Sequence, residues 1–133
     1  MIFALDASAM IAFLDDENGA AIVEAAMLEE GAQVYAHAVN VTEVFYQYHR
    51  RSEAEAQLAL SALEAAGVQI VDDMTPAFWQ SAARLKSRFV RVSVADCFGM
   101  ALSQKLGADF LTSDHHELEA VEASGAVQIT FIR

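Results

Sequence analysis

Four acidic residues occupy positions where carboxylates could cooperate in binding a cation: Asp6, Glu43, Asp96 and Asp114. Asp6 and Asp114 each follow a short apolar run, while Glu43 and Asp96 lie near the predicted starts of two helices. Hard divalent cations such as Mg²⁺ and Mn²⁺ prefer clusters of carboxylate oxygens. Such cations clamp a scissile phosphate and lower the pKa of a bound water, so these residues indicate metal-assisted cleavage of a phosphate ester.

Each of these acids also has a simpler explanation as part of a helix cap. Three pairs of residues have the spacing of a capping box or a near variant of it: Asn40 with Glu43, Ser93 with Asp96, and Asp114 with Glu117. An acid near a helix N-terminus gains a few tenths to about 1 kcal/mol. Crowded carboxylates repel by on the order of 4 kcal/mol per close pair at an effective dielectric of about 20. If the four acids meet, capping does not offset that repulsion, and a bound cation is predicted.

The elements that must position these acids alternate between short β-rich runs and longer helical ones. Strands are predicted at residues 2–5, 34–36, 68–71, 110–112 and 127–132. Helices are predicted at residues 8–15, 20–30 and 41–51, then from Ser52 to Gly67, from Thr75-Pro76 to residue 88, and from 94 to 107. We expect Gly31 to cap the second helix, and Leu58, Leu60 and Leu63 to form the apolar face of the fourth.

Strands that are separated by helices pair in parallel, because a parallel connection needs a long crossover. The sequence therefore predicts an α/β fold, a three-layer α/β/α sandwich with a central, mainly parallel five-stranded sheet. In such a sheet the carboxyl ends of the strands share one edge, where ligands bind near a switch in strand order. All four acids are expected at that edge. Asp109 precedes its strand, so it is expected at the opposite edge.

Composition sets the broad class of the protein. The 133 residues predict a single domain over 1–133, and one cysteine, Cys97, excludes a disulfide scaffold. The absence of a basic leader and of a long apolar run predicts a cytoplasmic protein with no membrane segment. The net charge of −11 is unusual for a protein that binds phosphates. A divalent cation could supply positive charge, and so could the basic residues at 84–91, which otherwise form a solvated helix face.

Three segments together resemble the PIN-domain family, and in particular its VapC-like toxins. LDASAMIAFL at the start resembles the opening strand–acid–helix unit, and NVTEVFY resembles the second motif, which carries its acid on a helix. SVADCFGMALSQKLGADFLTSD is the strongest segment, with an acid opening a helix, a Gly-Ala-Asp turn and Thr-x-Asp after a short strand. The resemblance covers essentially the whole chain.

The resemblance implies a hydrolase that is an endoribonuclease dependent on Mg²⁺ or Mn²⁺ and acts as the toxin of a toxin–antitoxin pair. It carries over Asp6, Glu43, Asp96 and Asp114 as catalytic and metal-binding acids. Ser8 and Thr112 match polar residues beside that site, and Asn40 matches a more variable polar position. A homodimer, and inhibition by a small antitoxin protein, are implied in the same way. Transfer, ribosomal and messenger RNA all remain candidate substrates.

Other polar residues are interpreted more simply. His115 and His116 are expected to be exposed at a helix start, His37 and His49 to be structural or on the surface, and Cys97 to be a buried, inert thiol. Asp72 and Asp73 end a strand directly before the Thr75-Pro76 helix start and are interpreted as loop acids.

Competing functions remain open. A haloacid-type phosphatase would need a second acid where Asp6-Ala7-Ser8 has none, and a phospho-receiver signalling module would need a lysine after the last strand, where only Arg133 stands. A non-catalytic protein that keeps the fold and binds an antitoxin or DNA is a third possibility.

Overall fold

The computed structural model describes all 133 residues, which form five strands and seven helices. The strands are β1 (Ile2–Leu5), β2 (Gln33–His37), β3 (Val68–Val71), β4 (Asp109–Thr112) and β5 (Ile129–Phe131). The helices are α1 (Ala7–Leu14), α2 (Ala20–Leu28), α3 (Ala38–His49), α4 (Glu53–Ala65), α5 (Pro76–Arg88), α6 (Val94–Leu106) and α7 (His115–Ser124). No helix is both long enough and apolar enough to cross a bilayer.

The strands form one sheet in the order β3-β2-β1-β4-β5, and all four pairings are parallel. The predicted parallel sheet is therefore confirmed. The chain runs outward through β2 and β3 on one side of β1 and through β4 and β5 on the other, so the strand order switches between β1 and β4. Ligands of open parallel sheets bind at such a switch, outside the carboxyl ends of the strands. A receiver-type sheet has the order 2-1-3-4-5 instead, so the strand order excludes that alternative.

Helices cover both faces of the sheet, which confirms the three-layer architecture. A cluster of 19 buried residues joins one face to α1, α2, α3 and α4, and includes Leu5, Met10 and Leu63. A second cluster of 15 joins the other face to α5, α6 and α7, and includes Met100 and Phe110. Because successive side chains of a strand point to opposite faces, β1, β2, β3 and β4 each contribute to both cores.

Local signals fix several helix ends as predicted. Ser52 Oγ accepts a hydrogen bond from the Glu55 backbone at 3.0 Å and caps α4. Pro76 occupies the first turn of α5, where its missing N–H costs nothing. Gly107 ends α6 with φ of +64°, a conformation that glycine adopts without strain.

Four details of the prediction were wrong. Helix α3 begins at Ala38, not at 41, because the His37 ring caps it by accepting from the Val39 backbone at 3.1 Å. Leu58 is 68% exposed, because Ala56, Ala59 and Leu63 form the buried face of α4. Helix α2 ends at Leu28 with an extended cap at Glu29, so Gly31 lies beyond its end. Strand β5 is limited to three residues.

Candidate metal centre

The first strand and the helix after it place Asp6 at the switch between β1 and β4. Asp6 follows β1 directly and caps α1, since its Oδ1 accepts from the Ala9 backbone at 2.8 Å. The same oxygen accepts from Ser8 Oγ at 2.6 Å, and Oδ2 accepts from Thr112 Oγ1 at 2.5 Å. The side chain is almost fully buried, with 2% exposed. Asp6 is therefore held in one orientation by donors from its own helix and from the end of β4.

Asp114 comes to the same edge because it follows β4. Its Oδ1 accepts from the Glu117 backbone at 3.0 Å and caps α7, while its own backbone N–H donates to Thr112 Oγ1 at 3.1 Å. Thr112 is fully buried and thus connects the two acids, donating to Asp6 and accepting from Asp114. The capping interaction predicted for Asp114 exists, and it leaves the second carboxylate oxygen free of protein partners.

Asp96 lies in the first turn of α6, where Ser93 Oγ accepts from its backbone N–H at 3.1 Å. Here the cap is Ser93, and the Asp96 carboxylate is left to face the cleft. Asn40 is fully buried in α3, and its Nδ2 donates to the Ala95 carbonyl at 3.1 Å. This bond fixes the first turn of α6 to α3. Asn40 therefore acts on the position of Asp96 through the backbone beside it, while its own Oδ1 has no partner.

Glu43 reaches the cleft from the second turn of α3. We expected it near the start of this helix, in a capping box with Asn40, and both expectations were wrong because α3 begins earlier. Its half-buried side chain nevertheless lines the same cleft as the other three acids.

The four acids line one cleft of about 340 Å³ at the edge of the sheet where they were expected. Its full set of lining residues is Asp6, Ala7, Ser8, Ile11, Glu17, Glu43, Gln47, Asp96, Asp114 and Arg133. Of the predicted site residues, Ser8 is in the wall, whereas Thr112 and Asn40 support it from behind. Without a cation, this cleft contains far more negative than positive charge.

The electrostatics of the cleft show that the acids are close enough to influence one another. Burial raises the pKa of Asp96 to about 7, with further contributions from the Asp6, Glu43 and Asp114 carboxylates. Burial also raises the pKa of Asp6, against the lowering effect of its hydrogen bonds from Ser8, Thr112 and Ala9. Burial and the nearby Asp6 raise the pKa of Glu43. Ionised carboxylates packed this closely are unfavourable in the absence of a compensating positive charge.

The donor set suits a hard divalent cation. Carboxylate oxygens of Asp96, Asp114 and Glu117 lie within 4.8 Å of one another, close enough to share one ion. All are oxygen donors, and no cysteine or histidine joins them, which favours Mg²⁺ or Mn²⁺ over zinc. The residues present therefore fit such a cation, and the cation would relieve the repulsion that raises the pKa of Asp96.

Several residues of this region, Glu17 among them, were missed as site residues, and three of them had a signal in the sequence. Glu117 was interpreted only as the partner of a cap, although a position three residues after Asp114 lies on the same helix face. Gln47 is four residues after Glu43 in α3, so the same spacing could have indicated it. Arg133 follows β5, and the rule that carboxyl ends share an edge applied to it as well.

Other residues that the sequence singled out lie elsewhere. None of the four basic residues at 84–91 lines the acidic cleft, and Lys86 donates to the Val90 and Val92 carbonyls at 2.7 Å. Asp73 binds Lys105 at 2.5 Å and accepts from Thr75, in a different pocket beside Phe78. Like Asp72, it is absent from the cleft wall.

The histidines and the cysteine have the predicted structural or surface character. His115 and His116 are exposed. His37 is fully buried and stacks on Phe78 at 5.0 Å. Cys97 is buried, and burial raises the pKa of its thiol to about 11, which disfavours the nucleophilic thiolate.

The fold that carries this cleft is similar to that of several solved structures. No curated protein sequence matches the chain. Solved structures do match over nearly its full length. They include VapBC2 of Rickettsia felis bound to a promoter DNA fragment (TM-score 0.78, 11% identity, 98% of each chain) and DNA-bound VapBC of Salmonella typhimurium (0.76, 13%, 100% of this chain and 99% of the other). A third is VapC20 of Mycobacterium tuberculosis, described as a sarcin-ricin loop cleaving toxin (0.70, 17%, 90% and 95%).

At these identities the structural matches show a shared fold. The family assignment has a separate basis, because the family model described as "PIN domain" matches residues 3–123, most of the chain. Together with the parallel sheet and the acidic cleft at its switch point, that match identifies the chain as a member of the PIN-domain family.

Proposed function

We propose that this protein is an endoribonuclease dependent on Mg²⁺ or Mn²⁺, and the toxin of a toxin–antitoxin pair. PIN domains are typically nucleases and generally bind divalent metals. The observation that carries the proposal is the cleft of four acids, in which Asp96 is held with a raised pKa by burial and by three neighbouring carboxylates.

In this proposal Asp96, Asp114 and Glu117 would hold the cation, and Asp6 and Glu43 of the same cleft would complete its acidic surroundings. When bound, the cation supplies positive charge to the scissile phosphate and lowers the pKa of a water molecule. The hydrogen bonds from Ser8 and Thr112 hold the Asp6 carboxylate in one orientation. A carboxylate of the cleft accepts the proton of the attacking water, and the leaving oxygen takes a proton from solvent.

The residues that line the cleft also favour one class of substrate. The cleft is open to solvent on the sheet edge, and its walls offer no apolar pocket for a small organic substrate. An extended polyanion that crosses the edge, such as RNA, matches this geometry. The proposed partners are an RNA substrate, a cognate antitoxin and a second copy of the chain. An antitoxin is supported by the structural neighbours, several of which are toxin–antitoxin complexes.

The test is to incubate the purified, antitoxin-free protein with total cellular RNA in Mn²⁺, in Mg²⁺ and in chelator, beside the Asp96→Asn variant. Total RNA is the right substrate, because a specific enzyme can ignore a model oligonucleotide. We expect discrete cuts that require metal and are absent from the variant, and mapping the new ends names the substrate. Identical RNA patterns in all lanes, from folded protein, would reject the nuclease and leave a non-catalytic partner-binding protein.

A further inference from the structure

A second cleft adjoins the acidic one along α3. It measures about 360 Å³ and is lined by Ile11, Asp15, Gln47, Tyr48, Arg50 and Arg51. Ile11 and Gln47 are in the walls of both clefts, so the two depressions meet there. Glu43, Gln47 and Arg50 are spaced by four and then three residues, which places Arg50, the helical C-cap of α3, on the same side as the other two. The second cleft is therefore a continuation of the acidic one toward the end of α3.

The charge of this second cleft is opposite to that of the first. It contains two guanidinium groups and one carboxylate, Asp15. Arg51 is already engaged, since it lies 3.6 Å from Asp15, 3.5 Å from Glu55 and 4.8 Å from the Tyr48 ring centroid. The Tyr48 hydroxyl donates to Asp15 at 2.7 Å and completes this network. The negative charge of Asp15 is thus satisfied inside the protein.

Arg50 has no such partner. Its side chain is exposed and forms no ion pair, and only its backbone N–H is bonded, to the Tyr46 and Tyr48 carbonyls. Arg133, which lines the acidic cleft, is by contrast occupied by the Asn18 carbonyl at 2.7 Å and by Glu17 at 3.6 Å. Arg50 is therefore a free guanidinium beside the acidic site, in a protein whose net charge is −11.

We propose that this second cleft is a phosphate subsite, in which Arg50 binds a backbone phosphate of single-stranded RNA a few nucleotides away from the scissile one. The proposal rests on the function proposed above and adds how the substrate is held. Arg50 lies seven positions after Glu43, a rise of about 10 Å along the helix. That length corresponds to about three stacked nucleotides, or fewer in an extended strand. A guanidinium also matches a phosphate in geometry, because it can donate two parallel hydrogen bonds.

Arg50 is a positioning residue in this scheme, and it is well suited to a clean test. Its side chain has no structural contact to lose, so Arg50→Gln should fold normally. Arg84→Gln is the matched control, because Arg84 is also exposed on a helix and without a carboxylate partner, but lies on α5 and lines neither cleft. Both variants remove one positive charge from the protein, so long-range electrostatics change by a similar amount.

The experiment measures initial cleavage rates on a single-stranded oligoribonucleotide that spans a cut mapped in total RNA, at several salt concentrations. For Arg50→Gln we expect KM to rise about three- to five-fold, as for loss of an exposed ion pair, with kcat nearly unchanged. The slope of log(kcat/KM) against log[salt] should fall in magnitude by about 0.7, the value for one phosphate contact on a single strand. Arg84→Gln should keep the wild-type KM and slope.

Substrates with one uncharged methylphosphonate linkage locate the contact. At one position near the cut, neutralising the phosphate should slow the wild type by the same factor as Arg50→Gln, and combining both changes should cause no further loss. If Arg50→Gln behaves like Arg84→Gln, or if its loss adds to that of every neutralised position, the subsite is rejected although the nuclease stands. If the wild type cuts no RNA at all, the proposed function fails first and the subsite with it.

Discussion

Asp6 and Asp109 lie at opposite ends of two neighbouring parallel strands, and their surroundings differ sharply. Asp6 follows β1 at the edge where the strands end, whereas Asp109 opens β4 at the edge where they begin. Burial raises the pKa of both carboxyls. Asp6 accepts three hydrogen bonds and has other acids beside it, while Asp109 accepts one, from Thr130 at 2.6 Å.

Burial that raises the pKa of a carboxyl, as it does at Asp109, therefore does not by itself mark a functional site. In a parallel sheet with helical crossovers, the edge where strands end is also where helices begin. Backbone N–H groups and the positive ends of helix dipoles therefore point at that edge and can hold several carboxylates. Asp6 and Asp114 both cap helices there while facing the cleft. At the opposite edge no helix N-termini converge on Asp109. Its one side-chain hydrogen bond, from Thr130, connects β4 to β5.

The largest expected effect is on cleavage. Asp6→Asn should lower kcat/KM for RNA by more than about 100-fold. Removing a residue that only supports a metal ligand lowers activity by up to about 100-fold, and a residue inside the cleft should matter more. Asp109→Asn should keep the wild-type rate within about two-fold, because Asp109 is outside the cleft. Rates on the mapped RNA substrate in Mn²⁺ measure both. Equal losses in the two variants would show that burial, and not position on the sheet, decides which acid matters.

The difference between the two edges of the sheet could be predicted from the sequence, because it depends on whether an acid comes before or after a strand. Asp6 follows a predicted strand and Asp109 precedes one, which is visible in the printed sequence. Because the strands pair in parallel, these two positions must lie at opposite edges of the sheet. Helix ends marked by Thr75-Pro76 and Gly107 were predictable for the same reason, since the interactions that cause them are local.

What escaped prediction depends on contacts between distant residues. His37 caps α3 because its buried ring lies between the Val39 backbone and the Asp73 carbonyl, a geometry that only the folded chain provides. Sequence rules prefer Asn as a cap and so pointed to Asn40. Arg50 and Arg51 look alike in the sequence, and only the positions of Asp15 and Tyr48 decide which of them is free.

The stability of the metal-free protein should depend on pH through Asp96. The pKa of Asp96 is about 7 in the fold, against an ordinary value of 3.8, so the folded state keeps a proton that the unfolded state loses. The contribution of this group to the stability of the metal-free protein should therefore be full below about pH 4 and should be lost as pH rises toward 7. A shift of about three pKa units corresponds to on the order of 4 kcal/mol.

Denaturant unfolding in chelator and in Mn²⁺, between pH 5 and 8, measures this directly. Mn²⁺ should restore stability most at the upper end of the range, where the carboxylates are ionised. Asp96→Asn should be more stable than the wild type in chelator at pH 7.5 and should respond less to Mn²⁺. Asp109→Asn should keep the wild-type response to Mn²⁺. A wild type whose metal-free stability does not change between pH 5 and 7.5 would contradict the crowding of charge at this edge.

The smallest expected effect distinguishes two threonines that each donate to a carboxylate, one of the buried Asp6 and one of the partly buried Asp109. Thr112 donates to Asp6 at 2.5 Å and accepts from the Asp114 backbone, whereas Thr130 donates to Asp109 alone. Thr112→Val keeps the shape of the side chain but leaves both acids less well oriented, so kcat/KM should fall about ten-fold, in the range for groups that support a metal ligand. Thr130→Val should lower stability by about 1 kcal/mol and leave the rate unchanged.

The two variants are informative together because each removes one hydroxyl that donates to a carboxylate. If the hydroxyl mattered only for stability, both would shift the unfolding midpoint and neither would shift the rate. A fall in rate that is confined to Thr112→Val, and that excess Mn²⁺ partly corrects, would show that the orientation of Asp6 is what the end of β4 contributes. The two edges of the sheet would then differ in the hydroxyl groups that orient the acids as well as in the acids themselves.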